Sequence, residues 1–89
     1  MRAKDRFIEV FRLSGFSYRD LELRTGIDRY RWQNLINKEG QKLTEEHFEA
    51  IEKVWPEYKF WIAFGETCPE RGQISPEIEE TRKKLNGAG

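Results

Sequence analysis

The alternation of apolar and polar residues divides this chain into short segments with helical period. Phe7, Ile8, Val10 and Phe11 share one side of a helix predicted over residues 3–13, with Arg2, Lys4, Arg6 and Arg12 on its other faces and Gly15 ending it. Ser17 then stands at an N-cap position with Asp20 three residues on, a carboxylate form of the capping box, so a second helix starts there and draws on Leu21 and Leu23 for core contacts. Thr25-Gly26-Ile27-Asp28 interrupts it, because glycine closes a helix in the left-handed conformation and aspartate caps the next. In the following helix, residues 28–37, Trp32, Leu35 and Ile36 lie at i, i+3 and i+4 and form the buried stripe. Tyr30, Gln33, Asn34 and Asn37 point the opposite way. Thr44, Glu45 and Glu46 open a fourth helix buried through Phe48, Ile51, Val54 and Trp55. Pro56 starts a short fifth helix that Gly65 stops, and Ser75 caps a final one from Pro76 to Leu85.

This pattern defines an all-α chain of five to six helices, and its 89 residues suffice for one core. A helical body over residues 1–65 is expected, followed by a linker and helical tail over 66–89. Twelve aromatic residues argue against disorder. The longest apolar run, Phe60 to Phe64, is far too short to span a bilayer, and the basic N-terminus lacks the apolar stretch of a signal peptide. A lone cysteine, Cys68, excludes an internal disulfide and suits a reducing compartment, so a cytoplasmic location without a membrane partner is expected.

Charge changes the picture only through its distribution. The chain is neutral overall, which argues against phosphate binding. Residues 1–42, however, hold ten Lys and Arg against six Asp and Glu, a net of +4, and residues 43–89 hold six against ten, a net of −4. The positive half contains two short helices broken at a glycine, and residues 29–38 of the second include no acid at all. That is the layout of a helix-turn-helix that enters a DNA groove.

The stretch resembles the helix-turn-helix of the phage Cro and repressor superfamily, through Ser17, Leu21, Gly26-Ile27-Asp28, Trp32 at the inward position and Leu35 three residues later. Pro56-Glu57-Tyr58 with Trp61, Gly65 and Gly72-Gln73-Ile74-Ser75-Pro76-Glu77 also looks like the tail of small phage or prophage regulators. The resemblance implies a Cro/repressor-like domain whose second helix lies in the major groove of a double-stranded DNA operator. It implies base reading by Arg29, Tyr30, Gln33 and Asn34, and phosphate contacts from Ser17, Tyr18, Arg19, Arg31, Asn37, Lys38 and Lys42. Chemically, Arg29 suits guanine O6 and N7, and Gln33 or Asn34 suits adenine N6 and N7. One departure is Glu22, which stands where the family has a small alanine between the two helices. Such a carboxylate must turn outward or find a partner, since an unpaired buried charge is very costly.

The expected function is a sequence-specific transcriptional regulator, a repressor in preference to an activator, acting as a homodimer. Tyr58, Trp61, Ile62, Phe64 and Ile78 are the expected dimer interface, because residues 58–64 hold more apolar surface than a short helix can hide on one face. The alternative is a protein-interaction module, antitoxin-like or an antagonist of another regulator, that binds a protein partner through residues 58–64. An enzyme is not expected: His47 is the single histidine, and no phosphate loop, nucleophile elbow or cysteine-histidine pair is present. No metal or other cofactor is implied.

Overall fold

The computed structural model describes residues 1–87, with side chains through Leu85. Six α-helices follow one another: α1 Ala3–Ser14, α2 Tyr18–Thr25, α3 Arg29–Asn37, α4 Glu45–Val54, α5 Lys59–Phe64 and α6 Pro76–Gly87. Single 3-10 turns sit at Pro56–Tyr58 and Pro69–Arg71. The chain is an all-α protein built on a helix-turn-helix, and no strand occurs among the described residues. Among them no helix is long and apolar enough to cross a membrane.

The local signals act where the sequence places them. The Ser17 hydroxyl accepts the Asp20 N–H at 3.1 Å while the Asp20 carboxylate accepts the Ser17 N–H at 2.8 Å, which closes the capping box of α2. Gly26 ends that helix at φ +77°, a conformation costly to any residue with a Cβ, and its N–H bonds the Glu22 carbonyl at 2.8 Å. Asp28 caps α3 by accepting the Tyr30 N–H at 2.7 Å.

The core is aromatic. Phe7 packs against Trp32 with ring centroids 5.5 Å apart and against Trp55 at 6.1 Å, and Leu21, Leu35, Ile51 and Ile62 close around them. Each such side chain contributes about 1.5–3 kcal/mol through burial, so this one cluster dominates the stability of a small domain. Leu23 is not part of it: the side chain is 72% exposed, against none for Leu21. Two residues along a helix rotate a side chain by about 200°, so Leu21 and Leu23 cannot face one core together.

The stretch 66–75, expected as a linker, holds three consecutive buried residues, Gln73, Ile74 and Ser75. Cys68 and Gln73 exchange backbone hydrogen bonds of 2.7 and 3.0 Å, and the Ile74 N–H bonds the Glu57 carbonyl at 2.9 Å. The Gln73 amide donates to the Pro56 carbonyl at 2.9 Å and accepts the Phe60 N–H at 3.1 Å. Both ends of the amide are satisfied, which is what allows a polar side chain to be buried there. The segment is clamped onto the turn before α5, and α6 leaves from that clamp.

Candidate nucleic-acid interface

The helix α3 turns two unlike faces to its surroundings. Trp32 and Leu35 are fully buried, whereas Tyr30, Gln33, Asn34 and Asn37 are exposed, as the helical phase requires. Thr25, whose side chain the sequence pattern gave no role, organises the turn in front of it. Its hydroxyl donates to the Leu21 carbonyl at 2.6 Å and accepts the Ile27 N–H and the Trp32 indole N–H, each at 3.2 Å. One side chain thus ties α2, the turn and the anchor of α3 together. At the other end Lys4, itself buried, donates to the carbonyls of Lys38 at 2.6 Å and Gln41 at 2.9 Å, placing a cation where the helix dipole favours one.

Acids from neighbouring helices reach the basic side chains of α3. Glu22 finds its partner in Arg29: one carboxylate oxygen accepts the Arg29 backbone N–H at 2.9 Å, and the other accepts guanidinium Nη2 at 2.8 Å and Nε at 3.2 Å. These bonds hold the Glu22 carboxyl below its usual titration range, the side-chain bonds from Arg29 acting most strongly. Arg31 makes a two-pronged bond to Glu46, at 2.9 and 3.1 Å, and lowers the pKa of that carboxyl in turn. Both partners of this second pair are about half exposed, so it adds little stability, but it occupies a cation expected to meet phosphate.

The expected phosphate residues separate accordingly. Arg19, Asn37, Lys38 and Lys42 are exposed. Ser17 is exposed too, yet its hydroxyl serves the capping box beside the Asp20 carboxylate. Tyr18 lies half-buried, stacked on Phe11 with centroids 5.5 Å apart. Of the residues expected at a dimer interface, Ile62 is fully buried and is withdrawn from any surface, since its side chain completes the core between α1, α4 and α5. Tyr58 and Trp61 pack against the same core and are half-buried, as is Ile78. Phe64 is 69% exposed, with Phe60 edge-on to it at 6.4 Å.

His47 plays a structural part. It is buried, with its ring 5.3 Å from that of Trp32, and Nδ1 accepts the Thr44 N–H at 3.0 Å, so the imidazole takes the reach-back position of a capping box. Burial keeps its pKa below the ordinary histidine value.

Fold and surface together define a small all-helical helix-turn-helix protein with an acid-free, amide-bearing face on α3. Over its whole length the chain is similar to the solved structure of Pf6r, from the filamentous phage Pf6 of Pseudomonas aeruginosa PA01. The two share 29% identity and superpose with a TM-score of 0.81, covering 100% of each chain. No family model and no curated protein matches it.

Proposed function

We propose that this protein is a sequence-specific DNA-binding regulator, a repressor in preference to an activator, that lays α3 in the major groove. The observation that carries the reading is the outer face of α3. Gln33, Asn34 and Asn37 are exposed there, their amides have no hydrogen-bond partner among the described residues, and Tyr30 stands beside them 66% exposed. Amide side chains offer a paired donor and acceptor to adenine, and a buried Trp32 beneath fixes the angle at which they are offered. Arg19, Lys38 and Lys42 supply the phosphate contacts that set the register. Likeness to a filamentous-phage protein supports a phage regulator in general terms. Selection from a random duplex pool tests the reading. An enriched motif of about four to six base pairs per half-site is expected, with affinity falling steeply as salt rises. A pool that stays random through the selection would refute it.

The exposed Phe60–Phe64 pair supports self-association, with two-fold related copies reading half-sites about 34 Å apart. The same pair suits a second reading, a surface for a different protein partner. Sedimentation of the wild type and of Phe64→Ala separates them: self-association predicts a dimer that the substitution weakens, and a monomer that binds one half-site favours the other partner.

A further inference from the structure

We infer that Glu22 is a positioning residue for base recognition, holding Arg29 so that only the end of its guanidinium faces the groove. This rests on the placement of α3 in the major groove proposed above, which brings Arg29 at its start to the bases. A guanidinium offers two edges to a planar acceptor: a side edge made of Nε and one terminal nitrogen, and an end edge made of the two terminal nitrogens. Glu22 occupies the side edge, with Oε1 3.2 Å from Nε and 2.8 Å from Nη2. The end edge is left, and that edge matches the O6 and N7 acceptors of guanine.

The same carboxylate also receives the Arg29 backbone N–H at 2.9 Å, so it grips both the start of α3 and the side chain that leaves from it. Position and orientation are therefore set by one group. An arginine held in this way loses little rotamer freedom on meeting a base, and its charge is largely balanced, so its contribution is directional and carries little of the salt dependence. Glu22 thereby stands in place of a small residue between the helices without loss of the turn, and it converts a flexible cation into a fixed reader of one base pair.

The test compares selected motifs for the wild type, Glu22→Gln and Arg29→Lys. A glutamine carbonyl still accepts the Arg29 backbone N–H but its amide cannot hold the guanidinium, while lysine keeps the charge and has no end edge. Both variants are expected to lose about tenfold in preference for guanine at one and the same operator position, with non-specific binding undiminished. In the wild type the Arg29 Nε–H should give a resonance protected from solvent exchange both free and on DNA, a readout that needs no variant to fold. Retention of the preference by Glu22→Gln while Arg29→Lys loses it, or free exchange of the Nε–H in the complex, overturns the positioning role. A wild type that selects no motif overturns the base-reading role itself, and the inference with it.

Discussion

The inner and outer faces of α3 obey different rules although they belong to the same nine residues. On the inner face Trp32 and Leu35 have no exposed surface to spare, and a change of one side chain is felt through the whole cluster of Phe7, Trp55 and Ile51. On the outer face Tyr30, Gln33, Asn34 and Asn37 touch little, so exchanging them costs the fold almost nothing. Stability and the proposed recognition therefore separate by face. Between the two lie the flank residues Arg29 and Arg31, which are neither free nor buried because Glu22 and Glu46 hold them.

The inner face gives the largest effect. Trp32→Ala should cost about 3–5 kcal/mol, a large fraction of a small domain's stability, and thermal melting would show it as a loss of the cooperative transition or a strongly lowered midpoint. An unchanged midpoint would mean that the helix is out of phase and that the two faces have been exchanged. The flank comes next. Glu46→Ala breaks an exposed pair worth less than about 1 kcal/mol, so melting should hardly move. Freed of its acid, Arg31 should instead strengthen non-specific DNA binding and steepen the salt dependence by about one counterion, measurable by anisotropy across a salt series.

The smallest effect is the pH response of His47. Its folded pKa lies below the ordinary value of 6.5, so as pH falls past that point the unfolded chain takes up the proton first and the native state loses stability. Above it the imidazole is neutral in both states and contributes no pH dependence. His47→Gln keeps an acceptor for the Thr44 N–H and removes the titration, so its melting temperature should fall less between pH 7 and about pH 5.5 than that of the parent. Parallel pH profiles would assign the acid sensitivity to other groups.

Much of this arrangement was legible in the sequence because its signals are local. Gly26 and Asp28 mark the turn within three residues, and the spacing of Trp32 and Leu35 sets the phase of α3 within one helical turn. The Glu22 departure announced that this carboxylate had to turn outward or find a partner, without saying which. The ion pairs that qualify the candidate interface were not legible, since Arg29 reaches back seven residues and Arg31 meets an acid fifteen residues away on another helix. A charge count over residues 29–38 saw only the cations. The clamp at 73–75 was hidden for a different reason: Gln73 and Ser75 carry no apolar signal, and they are tied to backbone groups of the Pro56 turn, of α5 and of α6.

The central question is whether the open face of α3 reads bases. The decisive measurement is the preference of wild type and of Gln33→Ala/Asn34→Ala for a selected operator over a scrambled duplex, with the melting temperature of each recorded alongside. If α3 reads bases, the double variant melts with the parent, keeps salt-dependent binding to both duplexes, and loses preference worth about 1–3 kcal/mol for each contact removed. A double variant that folds normally and discriminates as well as the wild type would rule out base reading by this face.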